Sequence, residues 1–495
     1  MLNADVVVIG GGIAGSAAAL AAARKGAEVV ILTKLPDPEE ANTRYAQGGI
    51  IYTGPDDSAG LLVRDILGAG ECSRAAAERI SLEGPPLVRG VLIEDLEVPF
   101  DREVAGFEGL HLTLEGAHSV PRIVHTRDTT GREIQHDALI RAVRAEERIT
   151  LLPGTEALDL VVSRGRCSGV HVAKDGGVET VLGRGVVLAT GGLGALYEHT
   201  TNPPFATGDG YALALRAGAR LRDLHYVQFH PTALYAPGAN SFLVSEAVRG
   251  EGGVLIDPDG EELVDHPLGS LAPRDVVARE IWAMMERTGS PCAYLDISHR
   301  PAKWLEERFP AIHARCSSEG TDITREPIPV VPAAHYACGG IKTDLSGRTD
   351  LRGLWAAGEV ANTGLHGFNR LASTSLLEGL VFGWRAGEDA ARPAPVLVPS
   401  SEEPPTVPEN APEEAWRRLR TIMWERAGLV RTASGLGEGF RELGVLEQEF
   451  GGTTLNGALA VARTVLEGAL ADKRSRGCHF RLDAQEEVVL ADLPG

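Results

Sequence analysis

The chain has 495 residues, of which 43% are apolar and 23% charged, and its net charge is −20. That length exceeds one hydrophobic core, so two or three domains are expected, and the acidic balance argues against nucleic acid or an anionic membrane as a partner. None of its six cysteines stands in a Cys-x-x-Cys pair, so neither zinc nor iron–sulfur binding is signalled and the reduced thiols of a cytoplasmic protein are expected.

The chain opens with a β-α-β pattern. Residues 5–9 are a short, β-branched, buried strand, 10–15 spell Gly-x-Gly-x-x-Gly, 17–25 are an alanine-rich helix ended by Gly26, and 28–33 are a second strand. In that context the glycines permit a tight turn and bring backbone N–H groups to a pyrophosphate at a helix N-terminus. Gly10, Gly12, Ile13, Ala14 and Gly15 are the candidate contacts. Residues 6–23 carry no charge over transmembrane length, but they lack a basic leader and are broken by glycines, so no membrane span or export signal is expected. The second strand ends Ile-Leu-Thr-Lys, without the acidic residue that often binds an adenosine ribose, so Lys34, Thr33 or backbone must make that contact.

Further on, 185–192 and 353–360 are two more buried strands that run into glycine turns, the first carrying Thr190 and Gly191. They frame a Pro- and Gly-rich insertion, about 224–337, that suits a mixed cap. The insertion holds Gln-Phe-His-Pro-Thr-Ala-Leu at 228–234, Leu-Ala-Pro-Arg at 271–274 and Pro-Ala-Ala-His-Tyr at 332–336. After it, 364–375 read Gly-Leu-His-Gly-Phe-Asn-Arg-Leu-Ala-Ser-Thr-Ser, and Ser375 with Glu378 matches a capping box. Residues 393–412 contain seven prolines and read as a linker. Beyond it, 413–443 and 455–471 have helical spacing and predict a small bundle.

These segments, in this order, resemble the flavoprotein family of succinate dehydrogenase, fumarate reductase and L-aspartate oxidase. The likeness runs from 5 to about 389 and resumes at 473–483. It implies an α/β fold: a Rossmann-like FAD-binding domain (1–223 and 338–392) interrupted by an α+β capping domain (224–337), then the linker and a C-terminal helical domain (413–495). It places Gln47, Gly48, Gly49, Asp209 and Glu359 around the flavin, and Ser375 and Leu376 at a helix N-terminus facing its pyrimidine. Covalently flavinylated members use a histidine just before Ala-Gln-Gly-Gly; residues 41–46 contain none, so non-covalent FAD is expected.

The resemblance also implies a site for a four-carbon dicarboxylate. Arg370 and His335 would hold one carboxylate, His230 and Ser245 the other, with Gln228 beside them. Arg274 would be the proton-transfer arginine and Glu115, in Glu-Gly-Ala-His-Ser, the partner of a substrate ammonium. His366 has a structural and a functional reading of equal weight. Together these imply oxidation of L-aspartate to iminoaspartate, with O2 or fumarate as acceptor and quinolinate synthase as the next enzyme. A soluble fumarate reductase or succinate dehydrogenase flavoprotein is the rival. A non-catalytic FAD-binding protein is a second, but it has no need of a dianion pocket.

Overall fold

A computed structural model describes residues 2–236, 242–394 and 404–484. Its centre is a seven-stranded sheet. Strand β1 (Leu2–Ile9) leads through helix α1 (Ile13–Arg24) to β2 (Val29–Leu32). Later segments add β3 (Ile149–Leu152), β4 (Glu156–Ser163), β5 (Arg166–Lys174) and β6 (Gly177–Leu188). Parallel pairs run β3-β2-β1-β6, and β5 and β4 continue antiparallel. Val6, Val7 and Val8 are fully buried, as a central parallel strand covered on both faces requires. The uncharged run at 6–23 is therefore β1 and most of α1. Among the described residues no helix is long and apolar enough to cross a membrane. α1 starts at Ile13, four residues before the alanine run, and stops before Gly26, whose φ of +86° suits glycine.

After α2 (Asp209–Arg216) the chain forms a second body. Its sheet comprises β7 (Val227–Leu234), β8 (Val254–Ile256), β9 (Ala293–Asp296) and β10 (Ile328–Ala337), with α3 (Arg274–Thr288) packed on it. The order is β7-β10-β9-β8, all antiparallel. The strands that leave and return, β7 and β10, are thus neighbours. This body has its own core, including Val277, Ile281, Leu295 and Phe309. The chain then rejoins the first sheet through β11 (Leu354–Ala356), parallel to β6.

Helix α4 (Thr374–Ala390) packs along α1. A Cβ on Gly383 would lie 2.4 Å from Ala14 O, and one on Gly387 would lie 2.0 Å from Ala18 O. Two glycines one turn apart therefore let the helices touch backbone to backbone. The capping box expected at Ser375 does not form. The helix starts one residue earlier, Ser373 occupies the N-cap with φ +53° and no capping hydrogen bond, and the Glu378 carboxylate accepts from Tyr336 (2.5 Å) and Thr363 (3.2 Å) and pairs with His366 Nε2 (2.7 Å). Glu378 is buried at 1% exposure, so its partners are tertiary ones.

The final helices are α5 (Glu413–Ala427), α6 (Ala433–Phe450) and α7 (Asn456–Ala471). The stretch 413–443 was expected to be continuous but is broken. Val430–Arg431 pairs with Phe480–Arg481, buried Arg431 donates to Gly428 O (2.9 Å) and His225 O (2.8 Å), and Thr432 caps α6. Cys478 N–H donates to Phe368 O (3.0 Å), and Arg476 lies over the Phe368 ring, so the tail is fastened beside the segment that precedes Arg370. Of the expected linker, 395–403 lie outside the described residues.

The helix contact yields a prediction from two glycines of opposite surroundings. Gly387→Ala is expected to destabilise by ~1–3 kcal/mol through overpacking. Gly437→Ala, with nothing within 4 Å of its added Cβ, is expected to stabilise by ~0.5–1 kcal/mol. Thermal unfolding of the two variants should shift Tm in opposite directions.

Candidate active site

A long crevice begins at the turn between β1 and α1 and ends against β10 and the residues before α4. Gly10, Gly12, Ile13, Ala14, Lys34, Thr190, Gly191, Asp209, Glu359, Ser375 and Leu376 all line it. Four of the sequence candidates do not. Gly15 meets the strand instead: a Cβ there would be 1.9 Å from Gly10 O, so the missing side chain permits close helix–strand packing. Gln47, Gly48 and Gly49 follow directly on the lining residues Tyr45 and Ala46, and the buried Gln47 Oε1 has no protein partner among the described residues. Gly49 is pressed on Val124 O, and a Cβ on Gly48 would meet Glu115 Oε1 at 2.7 Å.

The lining suits a long ligand with an anionic middle. Gly12 caps α1 without a side chain, Ile13 N–H donates to Thr43 Oγ1 (3.0 Å), and Ile13 and Ala14 line the crevice. At the far end the N-terminus of α4 also lacks a side-chain cap. Two buried polar atoms on the wall, Thr190 Oγ1 and Asn202 Oδ1, have no protein partner, as expected where a ligand supplies it. Lys34 Nζ sits 3.0 Å from Asp209 and 3.2 Å from Glu156. Burial lowers its pKa, but the two carboxylates outweigh it and the net shift is upward. So carboxylates stand at this end although β2 itself ends without one. Glu359 accepts from Ala337 N–H (3.0 Å) and Asn42 (3.3 Å), and burial pushes its pKa up to about 7. The residues present therefore fit an FAD.

At the β10 end the crevice meets a buried cationic pocket. Arg370, 5% exposed, donates Nε to Gln228 Oε1 (3.2 Å) and Nη1 to Ser375 Oγ (2.7 Å), and lies 4.5 Å over the Tyr336 ring. Among the described residues no carboxylate lies within ion-pair distance of it, and burial lowers its pKa. The same Gln228 Oε1 accepts from Arg274 Nη1 (3.2 Å), while Gln228 Nε2 donates to Asn369 Oδ1 (2.7 Å) and Arg370 O (2.9 Å). One amide thus spaces two guanidiniums.

The two expected histidines face each other at 5.0 Å between ring centroids. Burial, with the nearby arginines, holds both far below the usual imidazole pKa, so they are neutral. Thr232 N–H donates to His230 Nδ1 (3.2 Å), which puts the ring proton on Nε2. Thr201 Oγ1 lies 2.6 Å from His335 Nδ1 and can fix the same tautomer there. Ser245 Oγ accepts from Ala247 N–H (3.2 Å), leaving its own hydroxyl hydrogen to donate. The pocket therefore presents cations and N–H or O–H donors in several directions, the requirement for an anion with two carboxylates.

Two groups here escaped the sequence reading. Glu246 Oε2 accepts from Arg274 Nε at 2.6 Å and lies 3.6 Å from Arg249, which is 1% exposed. Burial raises the Glu246 pKa, but Arg274 and Arg249 outweigh it and bring it to about 2. The only sequence signal was the spacing of Glu246 and Arg249, which any helix surface shows; Arg274 arrives from another element. Glu115, 6% exposed, accepts from Ser373 Oγ (2.6 Å) and is pushed up by burial and by Glu246. The structure thus brings Glu115, Gln228, His230, Ser245, Arg274, His335 and Arg370 together. His366 points elsewhere, to Glu378, and is structural.

Comparison with known proteins agrees with this geometry. Residues 5–376 match the family described as FAD binding domain. The chain is 43% identical to L-aspartate oxidase 1 of Ralstonia nicotianae, over 99% of this chain and 97% of that one. It is 44% identical to L-aspartate oxidase of Mycobacterium tuberculosis, over 97% and 92%. Among solved structures it is similar to E. coli quinol fumarate reductase FrdA, with a TM-score of 0.90, 30% identity and coverage of 99% and 94%. Mycobacterium smegmatis Sdh1 follows, with a TM-score of 0.84, 32% identity and coverage of 97% and 89%.

The buried triad makes a signed prediction. The folded pKa of Glu246 is about 2, below its ordinary 4.5. A depressed carboxyl contributes stability above the unfolded pKa and loses it as pH falls toward the folded one; here that is ~3 kcal/mol. Glu246→Gln should therefore lower Tm at pH 7, and the deficit relative to the parent protein should narrow as pH falls below about 4.5.

Proposed function

Since this chain belongs to the L-aspartate oxidase family of FAD-binding flavoproteins, we propose that it oxidises L-aspartate to iminoaspartate with FAD, the first step of de novo NAD biosynthesis. The observation that carries the substrate reading is Arg370: a buried guanidinium with no carboxylate partner among the described residues, beside two neutral histidines, at the end of the FAD crevice. Such a charge is costly unless an anion meets it.

In this reading Arg370, with its planar fork, and His335 Nε2–H hold one substrate carboxylate. His230 Nε2–H and the Ser245 hydroxyl hold the other. Glu115 meets the ammonium. With three substituents of Cα fixed in this way, the fourth, its hydrogen, has one orientation, so much of the catalysis is positioning. FAD, when bound, supplies the acceptor for the electron pair that leaves with this hydrogen. Gly10, Gly12, Ile13, Ala14, Lys34, Thr190, Gly191, Asp209, Glu359, Ser375 and Leu376 would hold it, and without a histidine at 41–46 they do so non-covalently. Fumarate, a planar dianion of similar length, fits the same donors. Arg274, backed by Glu246 and Arg249, is placed to bring it a proton.

The acceptors in this proposal are O2, giving hydrogen peroxide, and fumarate. Quinolinate synthase consumes the iminoaspartate, and both enzymes work in the cytoplasm. The body built on β7–β10, about 224–337, is proposed as the capping domain. The FAD-binding domain is then 1–223 with 338–392, and 413–495 is the C-terminal domain.

Peroxide release by the FAD-loaded protein should follow addition of L-aspartate and not of succinate; turnover of succinate alone would make the protein a fumarate reductase instead. Glu115→Gln should slow aspartate oxidation by ~10–100-fold, the worth of a charged hydrogen bond, while fumarate reduction changes far less. Equal losses would remove Glu115 from the ammonium. The Glu359 pKa near 7 gives a separate check. If its ionised form accepts from FAD, affinity for FAD should rise with pH up to about 7 by at most about tenfold per unit and then level off, and Glu359→Gln should flatten the curve.

A further inference from the structure

Behind Glu115 lies a buried network that the proposed chemistry does not use. Arg122 is fully buried and donates in four directions: Nε to Asp57 Oδ2 (2.9 Å), Nη2 to Asp57 Oδ1 (2.9 Å), and Nη1 to both Asp65 Oδ2 (2.5 Å) and His118 Nδ1 (3.1 Å). We propose that His118, oriented by Arg122, is the positioning residue that sets the Glu115 carboxylate for the substrate ammonium, and so fixes the preference for an amino dicarboxylate over its unaminated counterpart. The proposal rests on the reading of Glu115 given above.

The tautomer follows from chemistry. A guanidinium has donors only, so His118 Nδ1 must accept and the ring proton must sit on Nε2. Burial, with the Arg122 charge, keeps the ring neutral. Nε2–H then donates to Ala372 O at 3.0 Å. The next residue, Ser373, donates its hydroxyl to Glu115 Oε2 at 2.6 Å. The circuit closes through the turn, where His118 N–H donates to Glu115 O (3.2 Å). Rotation of the His118 ring would break its bonds to Arg122 and to Ala372 O, the carbonyl next to Ser373.

Two further features show that this circuit is under constraint. Ala117 has φ +65° and Ser373 φ +53°, left-handed values that side-chain-bearing residues adopt at a cost. Such residues persist where their surroundings over-determine them, and both lie inside the circuit. On the opposite side Gly48 leaves only hydrogen against the carboxylate, since a Cβ would stand 2.7 Å from Glu115 Oε1. The side-chain bonds of His118 go to Arg122 and to Ala372 O, so in this proposal it acts through Glu115 and Ser373.

The test separates positioning from mere support of the fold. His118→Leu removes both side-chain bonds, and His118→Gln restores a donor and an acceptor. With FAD loading and Tm recorded for each, His118→Leu should raise KM for L-aspartate by about tenfold or more, roughly one charge-assisted contact. KM for fumarate should stay within about threefold, and His118→Gln should recover most of the loss. Asp65→Asn, which weakens the hold on Arg122, should move KM for L-aspartate in the same direction by less, and it decides the matter if His118→Leu does not fold. Equal rises in both KM values, or no change, in the folded variants would overturn the proposal. Glu115→Gln serves as the control. If it is selective and the His118 and Asp65 variants are not, only the positioning role fails; if Glu115→Gln is itself unselective, the ammonium reading fails first.

Discussion

The structure is organised around like charges held close together in its interior. Arg249, Arg274 and Arg370 are all buried, and among the described residues only Glu246 pairs with any of them. Low dielectric makes such repulsion expensive. Gln228 mitigates it by placing one amide oxygen between Arg274 and Arg370 while its NH2 group is tied to the Arg370 backbone and Asn369. The histidines respond as they must, by staying neutral. What remains is a concentrated positive site in a chain whose overall charge is strongly negative, and an anion is the only ligand that relieves it.

The fold explains how residues so far apart in sequence reach one place. β7 and β10 are adjacent antiparallel strands, so His230 and His335, more than a hundred positions apart, face each other across one pairing. α3 begins with Arg274 at the same edge. Arg370 comes from the other body, on the segment just before α4. The position of α4 is set by its backbone contact with α1, which also carries the glycine turn at the crevice's far end. The same glycine contacts therefore register the ligand's anionic middle against the dicarboxylate pocket. A shift of α4 along α1 would move both ends of the site relative to each other.

The sequence revealed those parts whose cause is local. Glycine spacing between a strand and a helix and the β-branched buried strands were legible because each reflects its own neighbours, whereas the motif-bearing segments of the insertion were legible only through the family resemblance. Gly15 was misread because the fingerprint contains both ligand-facing and packing glycines, and the pattern does not separate them. The capping box at Ser375 failed for a related reason: Glu378 had a stronger use elsewhere, as the buried acceptor for Tyr336 and Thr363 and the partner of His366. Glu246, Thr201 and the Arg122 network were invisible because their partners lie on distant elements. The break at 428–432 was hidden too, since good helix formers flank it and its stop is set by pairing with 480–481.

The charge count links specificity to the raised pKa of Glu115. Three guanidiniums and the ionised Glu246 leave the pocket with two positive charges while Glu115 is protonated, and with one when it is ionised. L-aspartate brings two carboxylates and an ammonium, a net single negative charge, and matches the ionised state. Fumarate or succinate brings two negative charges and matches the protonated state. Burial and Glu246 push the Glu115 carboxyl toward protonation, while Ser373, Arg274 and Arg370 oppose them. A substrate ammonium beside it would tip the balance to the carboxylate. One acid with opposed influences can therefore serve an amino acid donor and a dicarboxylate acceptor in the same pocket. In the proposed reading its neighbours matter more than its sequence position, and the buried groups behind it would act on substrate choice through it.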